Sequence, residues 1–370
     1  MQSDELQYQI GLTLLDGVGD VTAKNLIAYC GSVSEIFKAK KSQLEKIPGI
    51  GSVIANSIVS NKSVLSRAEK EIDFITKHKI TPLFFTEPNY PQRLKHCYDS
   101  PVMLYYKGNA DLNKEKIVSV VGTRTPTNYG KETTEKLVQE LKETGCIVAS
   151  GLAYGIDILA HKTSLDVGIE TIGVLAHGLD RIYPSVHRSY AEKMLSQGGL
   201  LTEFVSETNP DRENFPKRNR IVAGMCDALV IVESKKEGGS LITATIANAY
   251  NKDVFAFPGK TTDVLSEGCN ALIKTNKANL IESSADLFYI MNWNNDKPKT
   301  KTTQLPLMLS LTNEEQLIVD AFTSKNELHI DEICYVTNYS VSKVSSILLQ
   351  LEFTNVLKSL PGKIYKLVNR

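Results

Sequence analysis

From Lys116 onward the chain repeats one unit: a short apolar run, a polar or glycine-rich connection, then an amphipathic stretch. The apolar runs fall at 117–121, 147–150, 171–176, 200–204, 228–233 and 253–257, with helical stretches at about 131–144, 156–167, 186–196, 216–226 and 241–251. Strand–helix–strand units with short connections place successive strands side by side in parallel, and near-continuous apolar runs mark strands covered on both faces. The pattern predicts an α/β fold, a doubly covered, mostly parallel sheet.

In such a sheet the loops after the strands open on one edge and share a crevice. The first loop is Gly122-Thr123-Arg124, ahead of a helix whose first N–H groups are expected to be unpaired and to favour an anion. Later loops bring Arg181, then Lys217-Arg218-Asn219-Arg220, then Gly238-Gly239-Ser240, then Gly259-Lys260. Arg124 supplies a donor fork suited to phosphate. Lys217, Arg218 and Arg220 open a helix, where cations meet the positive end of the dipole. Either a polyanion lies across that end, or the side chains lie on the helix flank and pair with Asp211 and Glu213. Gly238–Ser240 opens a helix with no charge in its first turn, a second phosphate-ready site. Neither a dinucleotide fingerprint nor a P-loop is present, so nicotinamide cofactors and ATP are not expected, and no cofactor is assigned.

Net charge is zero, with 42 basic and 42 acidic residues, so a polyanion would have to be held by a local patch. The hydrophobic share is 42%, no apolar run approaches a bilayer span, and Met1–Glu5 is too polar to open a signal peptide. Cys30, Cys97, Cys146, Cys226, Cys269 and Cys334 include no C-x-x-C pair, which argues against zinc and a disulfide framework and for the cytoplasm.

Four segments are expected: a helical module at 1–78, the sheet domain at 79–293, a linker at 294–310 and a last module at 311–370. In the first, Gly17-Val18-Gly19 and Pro48-Gly49-Ile50-Gly51 each precede an apolar helical turn, a repeat resembling the helix-hairpin-helix (SAM-like) motif. Its two readings are phosphate binding and packing or protein contact, because the surrounding charges are mixed. Residues 80–85 and 101–108 read as strands whose Tyr and Phe serve packing. The last module reads as three helices and a hairpin turning at Pro361-Gly362, a winged helix. Its third helix offers only Lys343 as a cation, which favours weak DNA or protein contact over duplex reading.

Asp157 and His161 stand one helical turn apart, so they could pair as an oriented general base or as a structural hydrogen bond; the second reading is preferred.

The set VVGTR, SGLAYGIDILAH, GVLAHGLDRIYP, FPKRNRIVAG, EGGSLITA, FPGK and SEGCNALI, in this order, resembles the DNA-processing protein A (Smf) family over about residues 80–290. The resemblance implies an extended Rossmann-like domain, a dimer that binds single-stranded DNA, protects incoming strands in natural transformation and hands them to a RecA-type recombinase. It assigns phosphate contacts to Arg124 and Lys217–Arg220, with Gly238–Ser240 lining the same pocket. Gly122, Thr123 and Lys260 complete the candidate site. Because few aromatic platforms stand near these residues, binding is expected to run through phosphates with little base readout. The alternative is a nucleotide-hydrolysing relative of the lysine-decarboxylase-like proteins. Those carry a glutamate on the helix after their glycine run; here none occurs through Asn251, so a binding protein is favoured over an enzyme.

Overall fold

A computed structural model describes residues 2–61, 63–293, 311–322, 327–354, 356–360 and 362–367. They divide into two compact units, 1–296 and 297–370. The expected linker at 294–310 lies outside the described residues.

The first unit opens with helices α1 (Gln2–Thr13), α2 (Asp20–Cys30), α3 (Val33–Lys38), α4 (Lys41–Leu44), α5 (Ser52–Ser60) and α6 (Ser63–Lys77). The two glycine hairpins fold alike. Gly17 and Gly49 take φ of +80° and +83°, a region that favours glycine, and Gly19 and Gly51 cap α2 and α5 with the same φ of −84° and ψ of 174°. The first hairpin docks on the sheet domain: Val102 N donates to Asp20 Oδ1 (2.9 Å) and Lys24 Nζ to Ser100 Oγ (2.7 Å). The second turns outward, with Val53 79% exposed.

The sheet elements follow as β1 (Thr81–Phe84), α7 (Gln92–Lys95), β2 (Met103–Gly108), β3 (Ile117–Val121), α8 (Asn128–Leu141), β4 (Ile147–Ser150), α9 (Ile156–Val167) and β5 (Thr171–Val174). Then come α10 (Arg188–Met194), β6 (Gly198–Thr202), α11 (Asn214–Met225), β7 (Ala228–Ile231), α12 (Gly239–Ala249), β8 (Asp253–Ala256), α13 (Glu267–Lys274), β9 (Asn279–Leu280) and α14 (Ser284–Ile290). The nine strands form one sheet in the order β1-β2-β6-β5-β4-β3-β7-β8-β9. Strands β3 to β9 run parallel, while β1 and β2 pair antiparallel to each other and β2 to β6. β3, β4 and the helix at 156–167 coincide with the sequence expectation, whereas α13, α14 and β9 lie outside it.

All five residues of β3 are buried, and its one hydroxyl is satisfied by donating from Ser119 Oγ to Val222 O (2.7 Å). Apolar clusters lie on both faces of the sheet, one around Ile117, Val121, Leu229 and Ile231 and one around Val118, Val120, Val148 and Val230. A third joins the helical region to the β1–β2 edge through Ile10, Leu26, Phe84, Met103 and Tyr105. The Tyr and Phe of 80–108 thus mostly pack. Strand order reverses at β3, since β4, β5 and β6 succeed on one side and β7, β8 and β9 on the other. That reversal parts the loops after β3 and β7 and opens a cleft.

The second unit holds α15 (Asn313–Ala321), β10 (Glu327–His329), α16 (Ile330–Thr337), α17 (Val341–Phe353), β11 (Leu357–Leu360) and β12 (Ile364–Leu367). Its strands pair in the order β10-β12-β11 over a core of Ile318, Ile333, Val344, Leu348 and Leu351. Lys343, the cation of α17, is held by Glu314 (2.7 Å) and stands 4.1 Å from the Tyr339 ring centroid.

Candidate nucleic-acid interface

The arm after β3 is held from two sides. Thr123 N donates to Glu233 O (2.8 Å) at the end of β7, and Ile156 N donates to Thr123 O (3.1 Å) at the start of α9. Arg124, exposed at the tip, places its guanidinium carbon 5.5 Å from the Phe215 ring centroid. The expectation that α8 offers unpaired amides to an anion needs correction. Gly130 N donates to Thr127 Oγ1 (3.2 Å), while the Glu233 carboxylate accepts from Thr127 N (3.0 Å) and Oγ1 (2.5 Å). An incoming anion would meet a carboxylate there.

The start of α12 is the opposite case. Gly238 caps it without a side-chain hydrogen bond, and the first turn holds no acid. Ser240 Oγ donates sideways to Ser234 Oγ (2.8 Å). The positive end of this helix faces a cleft of about 690 Å³ lined by Gly122, Thr123, Arg124, Arg218, Asn219, Gly238, Gly239 and Ser240 of the expected set. Arg212, Phe215 and Lys235 line it too, three residues the sequence reading left out.

The structure separates the three cations of the Lys217–Arg220 segment, because α-helical side chains rotate about 100° per residue. Arg218 is 4% exposed, and its Nη1 donates to the carbonyls of Gly151 and Val174 at the ends of β4 and β5. Burial lowers its pKa to about 10, an effect opposed by Asp157. It lines the cleft as part of the wall. Lys217 and Arg220 line a second cleft, of about 640 Å³, between the first glycine hairpin and the sheet. There Arg220 donates to Asp99 O, to Asp20 Oδ2 (3.0 Å) and to Glu203, which makes it a strut between the helical region and the core. Neither Asp211 nor Glu213 is its partner. Lys260 is exposed after β8 and lies outside the lining of both clefts. Arg181 pairs with Asp180 (2.8 Å) and Asn209 Oδ1 (2.5 Å). One shared crevice is therefore corrected to two clefts, which have Pro216 in common.

The expectation of few aromatic platforms is corrected as well. The Phe215 ring carries Arg124 at 5.5 Å and Arg218 at 6.0 Å, and the ring of Tyr183, itself 48% exposed, lies 6.3 Å away. The signal was in the segment already singled out, since Phe215 directly precedes Pro216-Lys217.

Asp157 and His161 do not pair. Asp157 Oδ2 accepts from Gly151 N (3.2 Å), and burial raises its pKa against the opposing pull of Arg218. His161 Nδ1 bonds Thr171 Oγ1 (2.6 Å), and its Nε2 has no hydrogen-bond partner among the described residues. Burial, then His187 and Arg218, hold its pKa down at about 3, so it stays neutral. Among the described residues no cluster of three metal-ligating side chains forms, and no helix is long and apolar enough to cross a membrane.

Sheet order and cleft place the chain among Rossmann-like proteins with an open cleft at the switch point. A family model, DNA recombination-mediator protein A, matches residues 81–292, flanked by a helix-hairpin-helix motif at 14–62 and a DprA winged helix domain at 303–363. The chain is 31% identical to Protein Smf of Synechocystis sp. across 99% of this chain and 100% of that protein. It is 41% identical to DNA processing protein DprA of Streptococcus pneumoniae across 54% of this chain and 70% of that protein. The X-ray structure of that DprA superposes with a TM-score of 0.58 at 32% identity, over 74% of this chain and 98% of that one. A structure of DNA processing protein A from Helicobacter pylori, described for its single-stranded DNA binding mode, superposes with a TM-score of 0.53 at 29% identity, over 58% and 96%. The chain belongs to the DprA/Smf family of DNA-processing proteins.

Proposed function

We propose that this protein binds single-stranded DNA in the switch-point cleft. Phosphates sit at the α12 N-terminus among Arg124, Arg212 and Lys235, and a base lies against Phe215. The observation that carries the reading is the start of α12, with no side-chain cap and no acid in its first turn, lining one cleft with Arg124 and an aromatic face. Cations and amides take the backbone of any sequence, while the ring can stack only a base freed from a duplex. The single-stranded DNA binding described for the Helicobacter pylori relative supports the same reading. Family membership further supports a cytoplasmic homodimer that protects incoming strands and passes them to a RecA-type recombinase. The protein acts by binding and not by catalysis. Nucleotide hydrolysis lacks its acid: the α12 segment holds no glutamate, and of the carboxylates beside the cleft Glu233 is bonded to Thr127 and Asp157 to Gly151.

Fluorescence anisotropy with labelled single-stranded and duplex DNA of one sequence, over a salt series, tests this. Preference for the single strand with a steep salt dependence, lost in Arg124→Ala, is expected. Equal indifference to both DNAs overturns it.

A further inference from the structure

Glu233 is 2% exposed, one residue before the cleft-lining Ser234, and it touches the arm that carries Arg124 at several points. Its carbonyl accepts from Thr123 N (2.8 Å), one carboxylate oxygen accepts from Thr127 N (3.0 Å), and the other from Thr127 Oγ1 (2.5 Å). Thr127 Oγ1 in turn accepts from Gly130 N (3.2 Å), so a chain of hydrogen bonds runs from the first turn of α8 through Thr127 into the carboxylate.

The surrounding glycines show how closely this is built. A Cβ on Gly130 would fall 2.2 Å from Glu233 Oε2, and one on Gly122 would fall 3.0 Å from Glu233 O. On the far side of the arm, Gly155 has φ of +79°, and a Cβ there would fall 2.2 Å from Thr123 O. Only backbone without side chains lets β7, the arm and α9 approach this far.

We infer that Glu233 is a positioning residue for strand binding: it fills the anion-receptive end of α8 from within, fixes the Gly122–Thr127 arm with Arg124 over Phe215, and leaves the start of α12 to receive phosphate. The inference rests on the reading of the cleft given above. Two helices begin beside this switch point, and each dipole favours a negative group. At α8 that group is the protein's own carboxylate, whose charge excludes a phosphate. At α12 no acidic residue of the first turn takes that place.

A double-mutant cycle on the full chain separates this role from a merely structural one. Anisotropy with one single-stranded oligonucleotide is measured for wild type, Glu233→Ala, Arg124→Ala, the double variant and Glu233→Gln, with thermal melts alongside. If Glu233 acts through Arg124, Glu233→Ala lowers affinity about three- to tenfold in the wild-type background and less than about twofold in the Arg124→Ala background. Glu233→Gln, which keeps an acceptor for Thr127 N and a donor for its hydroxyl, stays within about twofold of wild type. Should Glu233→Ala not fold, Thr127→Ala, which removes the hydroxyl link, takes its place in the cycle. Equal losses in both backgrounds, or no loss in either, overturn the inference. If Arg124→Ala itself leaves binding unchanged, the assignment of the cleft falls first, and this inference with it.

Discussion

Arg218 reaches the carbonyl of Gly151 so closely that a Cβ on that glycine would fall 2.4 Å from its Nη1. The same nitrogen donates to Val174 O (2.6 Å), and Asp157 is the charge that favours its ionised form. An arginine in a strongly basic segment thus ties two strand ends together beneath the cleft. Removing it strands two buried carbonyls and a buried carboxylate. Arg218→Met is expected to cost about 3 kcal/mol or more of stability. Urea unfolding followed by a probe in the sheet domain checks this; an unchanged midpoint would contradict it.

The neighbouring cations have different fates, and salt titration separates them. Arg124→Ala and Arg212→Ala, both in the switch-point cleft, are each expected to weaken single-strand binding for every sequence and to lower the slope of log affinity against log salt by about 0.7, whereas Lys217→Ala, in the second cleft, leaves the slope unchanged. Arg220 is occupied by Asp20, Asp99 and Glu203. Arg220→Ala should leave the salt slope unchanged while lowering the melting temperature.

Phe215 offers its face to Arg124 and Arg218. Phe215→Ala is expected to lose about 1–3 kcal/mol of single-strand affinity, whereas Phe215→Tyr retains it. An equal loss in both variants would mean that the ring only fills space.

Two buried groups give opposite pH dependences. Burial holds His161 down at about 3 from an ordinary 6.5. The neutral form is favoured in the fold, so this contribution is full above pH 6.5 and is lost as pH falls toward 3. Burial pushes Glu203 up to about 7 from 4.5, against the opposing pull of Arg220. The protonated form is favoured, so that contribution is full below pH 4.5 and is lost as pH rises to 7. Each slope reaches about 1.4 kcal/mol per pH unit, and between pH 4.5 and 6.5 they oppose each other. Relative to wild type, His161→Gln should gain stability on acidification through this window and Glu203→Gln should lose it. Chemical unfolding at pH 5, 6 and 7 reads both.

Much of the sheet was legible because a parallel strand buried on both faces is apolar at nearly every position, as in β3 and β4, whose single serines each donate their hydroxyl to a backbone carbonyl. β9 was not, since its two residues are exposed and leave no apolar run. Glycine spacing marked the start of α12, because a helix start with no side-chain cap and no acid in its first turn can be read locally. The fate of the Lys217–Arg220 segment could not be read that way: the Asp20 that holds Arg220 lies 200 residues distant in sequence, and Arg218 bonds carbonyls, which leave no trace in side-chain identity. From sequence Glu233 reads as the last residue of a strand, and its contacts at the start of α8 follow only once β3 and β7 are known to be neighbours.

The most direct test of the account is to map where a bound single strand lies. A short oligonucleotide substituted with 5-iodouracil is photocrosslinked to the full chain, and the modified peptides are identified by mass spectrometry. Crosslinks on Phe215 or Tyr183, within the segments that line the switch-point cleft, are predicted. Crosslinks confined to the glycine hairpins of the helical region or to the winged helix would contradict the account.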